Sequence, residues 1–238
     1  MKLLTTSNTK IKKGEKLGYM SFGIHLAPAK LSGFNVCPSA SKGCVAACLN
    51  TAGMGVYSTV QAARIAKTKL FFKDKPAFMS QLVKEIASGV RKAEKHKMIP
   101  CFRLNLTSDL PWEKIMHEGE SVFQIFPTVQ FYDYTKIEKR MFGFLNNELP
   151  QNYHLTFSRA EKTSPVLVNN LMACGGNVAI VFRKRLPTRF MGRDVIDGDE
   201  SDVRFLDPQG VIVGLKEKGL AKKDLTGFVI EPIEGGKL

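Results

Sequence analysis

Residues 153–183 read YHLTFSRAEKTSPVLVNNLMACGGNVAIVFR, and this stretch decides the fold. Tyr153–Ser158 alternates and is rich in residues that favour strands, and Asn177–Arg183 is a nearly continuous apolar run of strand length. Between them, Pro165 to Cys174 has helical character, with proline at its first turn and Gly175-Gly176 at its end. A strand, a helix and another strand in succession imply a crossover connection and parallel pairing.

The same alternation extends outward. Upstream, the strand Val129–Tyr134 leads into a helix around Ile137–Asn146. The strand Cys101–Leu106 precedes a short helix opening at Pro111-Trp112-Glu113. The first strand, Leu17–Leu26, is followed by a cysteine-rich loop, a helix near Tyr57–Phe72 and another over Pro76–Lys97. Downstream, Val203–Phe205 and Val211–Leu215 flank Asp207-Pro208-Gln209-Gly210 and read as a β-hairpin.

Alternation within the strands adds a second clue. Met20, Phe22 and Ile24 oppose Ser21, Gly23 and His25, and Phe102 and Leu104 oppose Arg103 and Asn105. Leu155 and Phe157 oppose His154, Thr156 and Ser158. Parallel strands covered on both faces read as continuous apolar runs, so a polar inner face implies a wet lumen. The expectation is a single α/β domain spanning residues 1–238, a partial or full (β/α) barrel of mostly parallel strands with a C-terminal β-hairpin. Sites in such folds lie at the C-terminal ends of the strands.

The loop after the first strand is residues 35–55, NVCPSASKGCVAACLNTAGMG. Cys37, Cys44 and Cys48 fall within twelve residues, separated by Pro, Ser, Ala and Gly, which let a backbone wrap closely. Thiolates are soft ligands suited to iron–sulfur clusters, Zn or Cu(I). Three of them leave the fourth position of a [4Fe-4S] cluster without a cysteine, and an open position marks reactive metal sites. Zn is the rival, with His25, Cys101 or Cys174 as a fourth ligand, and buried unliganded cysteines are the plainer alternative. Cys101 and Cys174 read as small buried hydrophobes.

Composition excludes several classes. The 238 residues include 44% apolar ones, enough for a full core, and an odd count of five cysteines argues against a disulfide framework. Residues Met1–Lys16 are polar and basic, with no apolar core for a signal peptide, and no apolar run reaches a membrane-spanning length. A soluble, cytoplasmic protein is expected, with no membrane partner. The net charge is +13, with basic residues grouped at 67–75, 91–97 and 183–193. Such a field attracts nucleic acid or small anionic substrates, and equally describes a solvated lysine-rich surface.

Two resemblances follow. A three-cysteine loop after the first strand of a partial (β/α) barrel resembles the radical S-adenosylmethionine (SAM) superfamily, although the cysteine spacing here is wider than that superfamily's usual pattern. The resemblance implies a [4Fe-4S] cluster whose open iron would chelate SAM, and a reductant such as ferredoxin or flavodoxin. Separately, CPSASKGCVAACLNTAG, RLNLTSDLPWE, FYDYTK, YHLTFSR, NVAIVF and VIDGDESDVRFLD resemble a family of mycobacteriophage proteins known by a gene label, gene eighty-eight. That resemblance runs from about Leu26 to Phe228; it implies a phage origin, hence an infected bacterial host, and little chemistry.

The residues expected at the barrel mouth follow from the strand ends. Asn105, Ser108 and Asp109, with Glu113, would contact a substrate or cofactor amine or hydroxyl, or else cap the Pro111 helix. Lys136 and Arg159 would bind a carboxylate or phosphate. His25 would act as a donor behind the cluster or form a structural hydrogen bond. Asp197, Asp199 and Asp202 read as a surface turn with a faint echo of a Ca²⁺ loop. The leading expectation is a radical-SAM-like or other iron–sulfur enzyme; the alternative is a non-catalytic iron–sulfur protein that binds nucleic acid or carries electrons.

Overall fold

The computed structural model describes residues 1–7 and 9–238. Its strands in chain order are β1 (Leu4–Thr5), β2 (Tyr19–Ile24), β3 (Ile99–Arg103), β4 (Met116–His117), β5 (Glu120–Ser121) and β6 (Gln130–Thr135). Next come β7 (Tyr153–Ser158), β8 (Val178–Phe182), β9 (Arg189–Phe190), β10 (Arg193–Asp197), β11 (Ile212–Lys216) and β12 (Val229–Ile230). The helices are α1 (Thr9–Lys12), α2 (Lys42–Ala46), α3 (Ser58–Lys73), α4 (Lys75–Lys95), α5 (Val122–Ile125), α6 (Glu138–Leu145) and α7 (Pro165–Ala173).

One mixed sheet runs in the order β1-β2-β3-β6-β7-β8-β11-β10-β9, with β12 added beside β8. All its neighbours pair in parallel except the two outermost pairs, β1 with β2 and β9 with β10. Among the described residues the sheet is open: β1 and β9 end it and do not pair with each other. The main strands and helices lie within a few residues of their expected places. The β4–β5 hairpin was not foreseen; it turns through Glu118 and Gly119, both at positive φ, as a type I′ turn requires.

The expected C-terminal hairpin does not form. Arg204–Leu206 is a 3₁₀ turn, and β11 pairs in parallel with both β8 and β10. The Asp-Pro-Gln-Gly turn instead returns the chain to the start of β11, where Asn177 Nδ2 donates to the Pro208 carbonyl at 2.8 Å and Asn177 Oδ1 accepts the Val211 N–H at 3.1 Å. The strand partner that sequence order suggested lost to a crossover.

The two faces of the sheet are covered differently. Phe22, Phe102, Phe131 and Tyr153 stand side by side in register, with the Phe22 and Phe102 rings stacked at 5.0 Å. Helix α4 packs on this face. Asp74 caps it by accepting the Ala77 N–H, and its buried stripe includes Phe78, Leu82, Ile86 and Ala93. Its spacing of three to four residues gives one apolar face. Gly89 is required where α4 crosses the sheet, because a Cβ there would stand 3.0 Å from the Phe102 ring.

The opposite face is polar, as the alternation implied, but no helix covers it. The segment 198–207 crosses it. Asp202 is fully buried and receives the Arg103 guanidinium at 2.8 and 3.1 Å, while Arg103 stacks over Tyr134 at 4.4 Å. Phe205 packs edge-on against Tyr19 and Tyr132. The expected surface turn is therefore in part an inner lining: a cation on the sheet recruits the acid. No helix among the described residues is long and apolar enough to cross a membrane.

Candidate functional site

The sheet splits at its C-terminal end. β7 pairs with β8 only at Val178 and Ala179, and further along β12 takes over at Val181 and Phe182. A cavity of about 220 Å³ opens over this end of the sheet. It is lined by Cys37, Cys44 and Cys48 on one side and by Asn105, Thr107, Ser108, Asp109, Lys136 and Ser158 on the other. Phe228, just before β12, and Lys216 and Lys218, after β11, complete the wall.

The cysteine loop is held by protein bonds. Ser41 caps α2 by accepting the Cys44 N–H at 3.1 Å. Glu161 binds the same turn, accepting the Gly43 N–H at 2.9 Å and the Ser41 hydroxyl. Burial pushes the Glu161 carboxyl up, but those bonds outweigh it and leave the group below the usual range. Cys37 Sγ accepts the Ala29 N–H at 3.4 Å and lies 3.7 Å from the Thr107 carbonyl. Cys48 Sγ accepts the Asn50 N–H at 3.5 Å. Burial raises all three thiols, Cys37 to about 11, so each keeps its proton at neutral pH until a metal displaces it.

Two cations stand by these sulfurs. Lys136 Nζ donates to Ser158 Oγ at 2.7 Å and to the carbonyls of Ser158 and Arg159 at 3.1 and 3.2 Å. All three acceptors are uncharged, and the Nζ lies 5.2 Å over the Phe228 ring. Burial lowers the Lys136 pKa while Cys44 and Asp109 pull it up. Arg64, on α3, is buried beside Cys48, and its charge favours the thiolate there.

The wall opposite the cysteines is rigid. Arg140 grips Glu113 through two bonds, Nε to Oε1 at 2.8 Å and Nη2 to Oε2 at 2.9 Å, and donates to Asp109 Oδ1 at 2.7 Å. Asp109 Oδ2 also accepts the Lys136 N–H at 2.8 Å. Asn105 Oδ1 accepts from Ser108, the Leu110 N–H and Trp112 Nε1 at 2.7–3.1 Å. Asp133 ties Asn105 to the Tyr153 hydroxyl at 2.9 Å; burial pushes its carboxyl up to about 7 against the Arg103 charge and those bonds.

The expected site residues thus fall into two groups. Cys37, Cys44, Cys48, Asn105, Ser108, Asp109 and Lys136 line one cavity. Glu113, Arg159 and His25 do not. Glu113 is turned to Arg140, and Arg159 Nη1 donates to the carbonyls of Gly227 and Phe228, bracing the β12 approach. His25 Nδ1 lies 3.4 Å from Thr107 Oγ1, and burial, helped by Arg64 and Arg103, lowers its pKa to about 3, so it is neutral. Cys101 is buried against Ser21, whereas Cys174 is exposed at the end of α7, contrary to its expected burial. Lys216, Lys218 and Phe228 carried no signal in sequence, because they arrive from the far end of the chain.

Among the described residues no group of three or more His, Cys, Asp or Glu side chains is placed to hold a metal ion. That disfavours tetrahedral Zn, whose thiolates must all reach one centre at about 2.3 Å. A four-iron cubane makes a different demand, since each cysteine binds its own iron and the ligands surround the cluster. Three thiols around one cavity, N–H groups directed at two of them and cations beside the other wall are compatible with that anionic group.

The fold and site define an open, mostly parallel α/β protein with a thiol-lined cavity at the C-terminal ends of its strands. The chain belongs to the family described as Gene product 88, which matches residues 2–232, and it is therefore a bacteriophage-type protein. No curated protein and no solved structure matches it.

Proposed function

We propose that this chain is a phage iron–sulfur protein that holds one [4Fe-4S] cluster through Cys37, Cys44 and Cys48, with its fourth iron open or held by a non-cysteine ligand. The observation that carries the reading is the convergence of those three thiols on one cavity with Lys136, Asp109 and Ser108. When bound, such a cluster supplies one-electron chemistry or a Lewis-acidic iron. The chain's own residues would supply the rest. Lys136 balances negative charge beside Cys44, Arg64 does so beside Cys48, and the Asn105–Asp109 wall fixes whatever enters. The polar wall favours an enzyme over a carrier, because a carrier gains from an apolar shield. The curl implied by the 198–207 segment crossing the polar face supports a partial (β/α) barrel, and the radical-SAM type is one form of this reading.

The test is anaerobic purification followed by iron and sulfide analysis, absorbance and EPR. Brown protein with about four irons per chain is expected. Cys37→Ala, Cys44→Ala and Cys48→Ala should bleach it, and Cys101→Ala and Cys174→Ala should not. Colourless protein with stoichiometric zinc would sink the reading. Adding SAM to the reduced protein and assaying 5′-deoxyadenosine separates the radical-SAM form from other iron–sulfur enzymes.

The +13 net charge favours a second reading, a nucleic-acid-binding iron–sulfur protein acting in the cytoplasm of an infected cell. Retention on DNA that falls steeply with salt would support it, since each phosphate contact releases counterions.

A further inference from the structure

The outer surface of the cysteine loop is apolar. Cys44 and Cys48 are each followed by an exposed apolar residue, Val45 at 46% and Leu49 at 47% exposure, and Met54 is 68% exposed. The thiols therefore stand one residue behind the surface. A second segment, residues 219–228, packs directly on this loop. A Cβ on Gly219 would stand 2.8 Å from the Thr51 carbonyl, and one on Gly43 would stand 2.9 Å from Phe228 Cβ. This segment adds Leu220 at 52% exposure and Leu225 at 97%. Exposed apolar groups gathered on two touching segments mark an interaction surface.

Its charge is one-sided. Residues 30–57 contain Lys30 and Lys42 and no acid. Residues 216–228 contain four lysines, of which Lys222 and Lys223 are exposed and free of carboxylates. The two acids there are occupied: Asp224 is buried and accepts the Val229 N–H at 2.9 Å, and Glu217 accepts the Lys184 N–H at 2.5 Å. An apolar centre ringed by one sign of charge selects a partner of the opposite sign and speeds its encounter.

We infer that the face formed by residues 42–57 and 216–228 docks an acidic, one-electron-donating protein directly over the cysteine loop. The inference rests on the iron–sulfur reading for its purpose, since an electron delivered here enters behind Cys44 and Cys48. Nucleic acid meets the lysines but gains little from exposed Leu225 and Met54, whereas a protein surface buries them.

The face can be tested without a cluster. Metal-free chain is titrated with an acidic flavodoxin as the probe at low and high salt, and the footprint is mapped by hydrogen exchange. Binding at low salt that weakens steeply with salt, with protection confined to 42–57 and 216–228, is expected. The double variant Lys222→Glu, Lys223→Glu should weaken it about tenfold or more, and Leu225→Asp should weaken it without changing the salt slope. With the cluster loaded, flavodoxin hydroquinone should reduce the charge-reversed variant at least tenfold more slowly, while dithionite reduces both alike. No binding at low salt, a footprint elsewhere, affinity indifferent to the substitutions, or displacement by equimolar duplex DNA would overturn the inference. Failure of the iron–sulfur reading appears separately, as missing iron in the purified chain.

Discussion

Replacing Arg140 with methionine tests whether the wall of the cavity is held by charge. The guanidinium makes four bonds of 2.7–2.9 Å to Glu113, Asp109 and the Tyr153 hydroxyl. The three side chains of the ion-pair group are only 5–11% exposed. Removing one partner of a buried pair costs roughly 3–5 kcal/mol, because the other charge stays behind. For Asp109 the loss has a ceiling, set by taking up a proton. From an unfolded pKa near 4 that costs about 4 kcal/mol at pH 7. Burial already raises the Asp109 carboxyl, and Arg140 is its largest counterweight. In the variant the folded pKa rises further above the unfolded one, so the folded state holds an extra proton. Stability is then lost as pH rises through that interval, by up to about 1.4 kcal/mol per unit. Urea unfolding should show a deficit of about 4 kcal/mol at pH 7, narrowing to about half at pH 5. The melting temperature should fall by roughly 10 °C at pH 7. Adding Asp109→Asn and Glu113→Gln should recover much of the loss, since no charge is stranded. A deficit below 1 kcal/mol, or one that does not vary with pH, refutes the argument.

Three further outcomes are expected. Asp202→Ala strands the buried Arg103 guanidinium and should cost about 3–5 kcal/mol by chemical denaturation, with Arg103→Met in the same chain restoring a large part; additive losses would mean the two residues are not coupled. Burial, and then the Arg204 charge, hold the His154 pKa down to about 4. Its neutral form therefore loses stability as pH falls from 6.5 toward 4, and His154→Gln should lose about 2 kcal/mol less than the native chain between pH 7 and pH 4.5. Glu161→Ala removes the acceptor for Gly43 N–H and Ser41; it should cost about 1–3 kcal/mol and speed hydrogen exchange at Gly43 and Cys44, and unchanged exchange at those amides would show that the loop is held otherwise.

Strand and helix placement was legible because local patterning and caps agree there. Tyr153–Ser158 alternates, and Ser164 and Pro165 announce α7. The C-terminal hairpin was misread because two short apolar runs around a turn look alike whether they pair with each other or with a third strand. What decided it was the partner waiting at β8, which lies far back in the chain. The acidic loop was misread for a related reason: Asp202 is acidic and local context calls it exposed, yet Arg103 on a distant strand supplies its counter-charge. In the candidate site, the cysteines and the strand-end residues were readable from their position after strands. The roles within that set were not. Glu113 and Asp109 look alike in sequence, and only Arg140, from the following helix, turns one of them away from the cavity. Arg159 sits next to Ser158 at a strand end, and the carbonyls of residues 227 and 228 claim it.

The bonds from Ser41, Glu161, Ala29 and Asn50 that shape the cysteine loop are all supplied by the polypeptide. The loop is therefore complete as a piece of folding, and its thiols stand ready in protonated form. Whatever takes those protons' place arrives at a finished protein. Loading becomes an event at the cavity mouth, separate in time from chain folding, and an incoming group can be lost and replaced without the fold being rebuilt. In a cell where iron supply and oxygen vary during an infection, such a chain would persist as a reusable vessel.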